Sequence, residues 1–271
     1  SGVLDQALGD HVARGAVGAD PRIGRRLGPY VLTELLGRGG MGVVYRGERA
    51  QGGFAQAVAI KLLRAGAHDE TLAAQRFARE RQILVRLQHP HIARLLDGGV
   101  APDGRPWLVT EFINGRPLDR WIDEATPDLE RRLKAFTALA DAVAHAHANG
   151  IVHADLKPAN VLIDAHDQPH LLDFGIARLL EPTAAPGKGG AHGLTPAWTA
   201  PEQLDGTAAD RRSDVYALGL LLYLLLAGTP PIDAHAHALS ELKALRRLQV
   251  PPPSRRAPRR RGKKGRSRIR A

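Results

Sequence analysis

Cysteine is absent from the 271 residues. That excludes disulfides and thiolate metal sites and agrees with a reducing compartment, the cytoplasm. Long apolar runs are lacking too. The longest, Val215 to Ala227, covers thirteen residues, too few to cross a bilayer and suited to a buried helix. Residues 1–27 show no charged start followed by an apolar core, so no secretory leader is expected. Acid is missing from one end only. Ten of the 38 basic residues fall between Arg255 and Ala271, where there is no Asp or Glu, and the remaining basic residues equal the 28 acidic ones. The net charge of +10 therefore belongs to the tail. That tail lacks interleaved aromatics and amphipathic spacing, so it reads as a solvated, disordered segment and not as a nucleic-acid or membrane anchor.

What is present falls into two halves. Tyr30 to Leu36, Val43 to Tyr45 and Ala57 to Lys61 read as strands around a glycine-rich turn. Thr71 to Leu87 reads as a helix stopped by His89-Pro90. Ile92 to Leu96 and Trp107 to Phe112 read as strands joined by a turn at Pro102-Asp-Gly104. After Gly115 the pattern turns helical. Leu129 to Ala148 has helical spacing and a stop at Asn149-Gly150. Ile151-Val152, Val161 to Ile163 and His170 to Leu172 read as short extended pieces, Glu181 to Gly193 as a loop, and Asp214 to Ala227 as a helix buried all round. A strand-rich part followed by a helix-rich part predicts two lobes with a cleft between them.

The chemistry concentrates in a few short stretches. Gly37-Arg-Gly-Gly-Met-Gly42 lies between two strands, where glycines let backbone N–H groups approach phosphates; alone it is also consistent with a plain hairpin. No Lys-Ser/Thr and no helix follow, which excludes a Walker A loop. Lys61 and Ala59 share one strand face, opposite Val58 and Ile60, so Lys61 can point into the cleft. Glu80 falls on the inward stripe of its helix with Ala73, Phe77, Leu84 and Leu87. There it either pairs with Lys61 or reaches water at the stripe's edge. In His153-Ala-Asp-Leu-Lys-Pro-Ala-Asn160, Asp155 can accept a hydroxyl proton, Lys157 can neutralise a transferring phosphoryl group, and Asn160 offers a carbonyl oxygen. Asp173-Phe-Gly175 supplies a second hard oxygen, and the two together suit magnesium. His145 and His147, two apart on a helix, cannot face one metal ion.

With Val44, Val58-Ala-Ile-Lys61, Ala200-Pro-Glu202 and Asp214, this set resembles the protein kinases. Asp155-Leu-Lys-Pro-Ala-Asn160, Gly-Gly-Met-Gly and Leu95-Leu-Asp-Gly-Gly99 are similar to bacterial, eukaryotic-like serine/threonine kinases. The resemblance implies an α+β, two-lobed fold: a small antiparallel-sheet lobe with one helix over residues 27–113 and a mainly helical, incomplete lobe over 114–250. A lead-in over 1–26 and the basic tail over 251–271 flank them. It implies transfer of the γ-phosphate of ATP to Ser or Thr hydroxyls of proteins, with magnesium, or manganese in its place, as cofactor. By the same resemblance Gly37, Gly39, Gly40 and Gly42 cover the phosphates, Lys61 and Glu80 orient them, and Asn160 and Asp173 hold the metal. Asp155 and Lys157 are then catalytic, Val44 and Ala59 line the nucleotide, Thr110 is the gatekeeper, and Glu111 to Ile113 form the hinge. Leu194 to Trp198 resembles the segment that receives the substrate residue, and Asp214 the residue that braces the catalytic loop.

Two departures stand out. Ala154 occupies a position where many kinases carry Arg, the usual receiver of a phosphorylated activation loop. Between Asp173 and Glu202 the only hydroxyl side chains are Thr183, Thr195 and Thr199, so activity is expected not to depend on loop phosphorylation. The family also continues with further helices where this chain turns basic, so Glu202 is expected to lack its Arg partner and the chain to be less stable. A catalytically dead fragment acting as a binding module and a small-molecule phosphotransferase of the same fold stay open as alternatives.

Overall fold

The computed structural model describes residues 20–50, 56–64, 84–174, 196–231 and 251–255. The first half builds one antiparallel sheet of six strands: β1 (Arg26–Leu27), β2 (Tyr30–Gly39), β3 (Gly42–Arg49), β4 (Ala57–Leu63), β5 (Leu95–Val100) and β6 (Pro106–Glu111). Their order is β1-β2-β3-β4-β6-β5. Alternation in β3 and β4 buries Tyr45, Val58 and Ile60 with Tyr30, Leu32, Trp107 and Val109 on one face. The Tyr30 and Trp107 rings meet edge-on at 6.2 Å.

The second half is mainly helical. A three-stranded sheet of β7 (Gly115–Pro117), β8 (Val161–Asp164) and β9 (Pro169–Leu171) accompanies α1 (Leu118–Ala125), α2 (Leu129–Ala148), the short α3 (Pro201–Leu204) and α4 (Arg211–Ala227). The ends of α2 follow from its sequence: the Asp128 side chain accepts from the Arg131 N–H, and Gly150, at φ 75°, turns the chain after Asn149. At the start of α4, Asp210 and Ser213 form a reciprocal cap, and Gly228 closes the helix at φ 72°. Trp121, Leu139, Ala142, Ala146, Leu221 and Leu225 form the core between α1, α2 and α4. The two halves are stitched where Ile92 bridges Leu171. Among the described residues no helix is long and apolar enough to cross a membrane.

The architecture is the expected α+β, two-lobed one, with several local corrections. The strands around the glycines run to Gly39 and from Gly42, because the hairpin stays paired as far as Gly39 opposite Gly42. The strand expected at Ile92 to Leu96 is Leu95–Val100 instead, in register with β6. The Trp107 indole covers Gly99 so closely that a Cβ there would fall 2.7 Å from it. Ile151 and Val152 are buried but in no strand; the Ile151 N–H donates to the Ala146 carbonyl as the exit from α2. α4 begins three residues earlier than Asp214 and is not buried all round, since Val215 is 61% exposed and Leu226 38%. Of the helix expected at Thr71 to Leu87, only the end is described, with Leu84 and Val85 helical. The loop expected at Glu181 to Gly193 lies outside the described residues.

Candidate active site

The site begins with the β2–β3 hairpin. Gly37 pairs with Val44, Arg38 with Val43 and Gly39 with Gly42. A side chain at Gly42 would place its Cβ 2.2 Å from the Leu62 carbonyl oxygen, so only glycine fits against β4. Gly40 and Met41 make the turn. Across the next register, Val44 stands opposite Lys61 and Ala59 opposite Thr110. Directly opposed residues of antiparallel strands share a face. Val44, Ala59, Lys61 and Thr110 therefore line one face, away from the buried side of Tyr45, Val58 and Ile60. Past Thr110, Glu111 is pinned twice: its N–H donates to the Arg94 carbonyl at 3.0 Å, and its Oε1 accepts from the Arg94 N–H at 2.9 Å. Residues 112–114, including Ile113, then run without secondary structure into β7.

The second half contributes a loop held from behind. Asp214, buried in the first turn of α4, accepts from the His153 N–H at 2.8 Å and the Ala154 N–H at 2.9 Å, and His147 Nε2 lies 2.8 Å from its Oδ2. This arrangement holds Ala154 in the left-handed region at φ 68°. The fully buried His153 reaches the other way: its Nε2 lies 2.9 Å from the Leu172 carbonyl, and its ring packs 4.6 Å from Phe174. The Leu172 N–H donates to the Asn160 carbonyl. Residues 153–160 and 172–174 are thereby one hydrogen-bonded unit.

On that unit the polar side chains converge. Lys157 Nζ lies 3.0 Å from Asp155 Oδ2, and Asn160 Nδ2 donates to the same oxygen at 3.0 Å and to the Asp155 carbonyl at 2.7 Å. The amide nitrogen of Asn160 is thus committed, and among the described residues its side-chain Oδ1, unlike its backbone carbonyl, takes no hydrogen bond. Asp173, itself at φ 63°, receives Lys61 Nζ at 2.6 Å. The sheet lysine and the loop carboxylate are 112 positions apart in the chain, yet form a half-buried ion pair. Asn160 and Asp173 offer two hard oxygens with no soft donor, which fits magnesium bound mainly through phosphate and water oxygens. Among the described residues no three His, Asp or Glu side chains gather into an all-protein metal cage.

Of the expected site residues, Glu80 lies outside the described residues, so its pairing with Lys61 is not seen; the carboxylate that meets Lys61 is Asp173. Thr183 and Thr195 also lie outside, while Thr199 is buried. Glu202 was expected to lack an Arg partner, and among the described residues no arginine pairs with it; the Ser213 hydroxyl donates to its Oε1 at 2.7 Å instead. His147 on Asp214 was also missed. Its signal was the helical spacing that places it on the α4 side of α2, but a histidine at a helix end points equally well to solvent.

Comparison with known proteins agrees with this geometry. The protein kinase domain profile matches residues 30–261. The chain is 40% identical over 209 residues to the DNA damage-responsive serine/threonine-protein kinase RqkA of Deinococcus radiodurans, covering 75% of this chain and 30% of the relative. It is 41% identical over 217 residues to the serine/threonine-protein kinase PkaA of Streptomyces coelicolor, covering 74% and 39%. It thus spans less than half the length of these curated relatives. Among solved structures, the PknI kinase domain of Mycobacterium tuberculosis superposes with a TM-score of 0.63 at 30% identity, covering 87% of this chain and 84% of that one.

Proposed function

The chain belongs to the protein kinase domain family, and from that premise we propose that it is a serine/threonine protein kinase working on ATP and on protein hydroxyls. One observation carries the reading. Lys61 from the sheet and Asp173 from the loop meet at 2.6 Å, while Asp155, Lys157 and Asn160 form a hydrogen-bonded cluster on the unit that carries Asp173. Two cations, two oxygen ligands and a carboxylate base gathered in this way suit phosphoryl transfer, which needs positioning and charge neutralisation more than covalent help.

ATP sits between the lobes, its adenine against Glu111 to Ile113 beside Thr110, its ring between Val44 and Ala59, and its phosphates under Gly37, Gly39, Gly40 and Gly42. Lys61, with Glu80 as its helix partner, orients the phosphates. Magnesium, or manganese, held by Asn160 and Asp173 supplies neutralisation of phosphate charge when bound. Asp155 accepts the proton of the incoming Ser or Thr hydroxyl. The new O–P bond forms at the γ-phosphorus as the bond to the β,γ-bridging oxygen breaks, and ADP leaves. Lys157 balances charge on the transferring oxygens. Its position beside Asp155 favours protein kinase chemistry over small-molecule phosphotransfer. Residues 27–113 and 114–250 serve as the two lobes, and the catalytic unit works on the cytoplasmic side, where ATP is. No specific nucleic acid is a partner in this reading.

The test is transfer of labelled phosphate from magnesium-ATP to a basic protein, comparing this chain with Asp173→Ala. Label on protein Ser or Thr that is lost in Asp173→Ala is expected. Label on a small alcohol, or equal transfer by both chains, overturns the proposal.

A further inference from the structure

The mechanism leaves one buried carboxylate unused. Asp20 precedes the stretch matched to the kinase profile, and its side chain is 2% exposed. It accepts from the Arg22 N–H at 2.9 Å and from the Tyr45 hydroxyl at 3.1 Å, and it forms an ion pair with Arg38. Arg22 in turn donates to the Tyr45 hydroxyl at 3.2 Å. A buried charge needs this many partners to be tolerated. Here they come from three places: the leading segment, the hidden face of β3, and the glycine-rich hairpin itself. The leading segment is fixed alongside by paired backbone bonds, Gly24 N–H to the Leu32 carbonyl and Leu32 N–H to the Arg25 carbonyl.

The register shows which side of the hairpin is gripped. Arg38 stands opposite Val43, and Val43 and Tyr45 alternate with Val44, which stands opposite Lys61. Arg38 therefore projects from the face turned away from Lys61. Asp20 fastens the hairpin from behind and leaves the face toward Lys61 clear. A hairpin of four glycines has little side-chain packing of its own, and its free backbone carries a large entropy of ordering.

We propose that Asp20 is a positioning residue for the nucleotide: with Arg38 and Tyr45 it struts the glycine-rich hairpin so that its backbone is ordered before phosphates arrive. The inference rests on the kinase reading of that hairpin. In the full chain, Asp20→Asn and Arg38→Gln should each speed hydrogen exchange of the amides of residues 37–43 by about tenfold or more, the scale of one lost charged hydrogen bond. Amides of β6 should be unaffected. Both variants should weaken binding of a fluorescent ATP analogue by a similar factor, raising KM for ATP with little change in kcat. The double variant should be no worse than either single one, and Arg38→Lys should recover most of the loss. Arg38 is half-exposed, so its replacement leaves the core intact. Unchanged exchange at residues 37–43 overturns the proposal, and so does faster exchange with unaltered nucleotide affinity, which would leave Asp20 a mere brace. If the unmodified chain binds no nucleotide, the kinase reading falls while the exchange rates still decide the strut.

Discussion

Replacing Asp214 by Ala removes the side chain that accepts both backbone N–H groups at the start of the catalytic loop. The carboxylate is 1% exposed and takes three contacts: His153 N–H, Ala154 N–H and His147 Nε2. Alanine leaves two backbone N–H groups with no acceptor in a buried place. An orphaned buried donor costs ~1–3 kcal/mol, so the pair costs about 2–6 kcal/mol, a large share of the ~5–15 kcal/mol that holds a domain together. Asn is milder. Its oxygen, placed where Oδ2 sits, keeps His153 and His147, while its amide turns a donor toward the Ala154 N–H and orphans that group alone, at ~1–3 kcal/mol. The loss should be selective for the loop. Ala154 stands at φ 68°, a conformation about 1–2 kcal/mol uphill for an L-residue, and without Asp214 only the Gln203 amide, 3.3 Å from the Ala154 carbonyl, still opposes its relaxation directly, so Asp155 next to it should shift. Urea unfolding should rank the chains unmodified, Asp214→Asn, Asp214→Ala. Phosphotransfer by the alanine chain should fall ~100-fold or more, even at temperatures where it stays folded, because misplacement of about 1 Å has that effect. An alanine chain within ~0.5 kcal/mol of the unmodified one, the range of neutral surface changes, would refute the reasoning.

The remaining expectations concern two other carboxylates. Burial works to raise the carboxyl of Asp167, but hydrogen bonds from the Trp121 indole and Arg131, with the charges of Arg131 and Arg116, outweigh it and hold the group below its ordinary 3.8. A depressed carboxyl stabilises the fold above its unfolded value and loses that contribution as pH falls through the folded one. Asp167→Asn should therefore be less stable at pH 7, and the difference should shrink as pH falls below 3.8 through the folded value, as followed by tryptophan fluorescence in urea titrations at each pH. The Ser213–Glu202 bond at 2.7 Å should appear in a double-mutant cycle of Ser213→Ala and Glu202→Ala as a coupling of about 0.5–1.5 kcal/mol. A coupling of zero would show that Ser213 only caps α4.

How much could be read in the sequence depended on how far a residue's partner lay along the chain. The hairpin, the strand bearing Lys61, the helix Leu129–Ala148 and the loop from His153 to Asn160 were legible because turn chemistry, alternation and capping act within a few residues. Ser213 was missed because its role as partner of Glu202 depends on the start of α4 coming back to α3 across the intervening turn, which no local pattern encodes. Asp20 was missed for the same reason: in a lead-in without periodicity, one aspartate looks like any solvated one, and only the folding of β2 and β3 brings Arg38 and Tyr45 to it. The exposure of Val215 was misjudged because an apolar run shows that a helix is hydrophobic without showing how many faces its neighbours cover.

The pairing of Lys61 shows what such distant contacts mean for the site. An ammonium 13% exposed needs an anion close by, and the helix stripe pointed to Glu80, the residue nearer in sequence. Among the described residues, which do not include Glu80, Asp173 meets Lys61 at 2.6 Å. On the proposed reading that is also a metal-binding carboxylate, so the ammonium and a divalent cation compete for one group. They cannot both sit on it without like-charge repulsion, which at ~4 Å and an effective dielectric near 20 is about 4 kcal/mol per pair of unit charges and doubles for a divalent ion. On that reading phosphate would resolve the conflict, because its oxygens would give Lys61 a second anion and leave Asp173 to hold the metal. Metal without nucleotide is then disfavoured at Asp173, and nucleotide and metal are favoured together. On that reading the Lys61–Asp173 pair is a holding arrangement that keeps both charges satisfied until the nucleotide and its metal arrive as a unit.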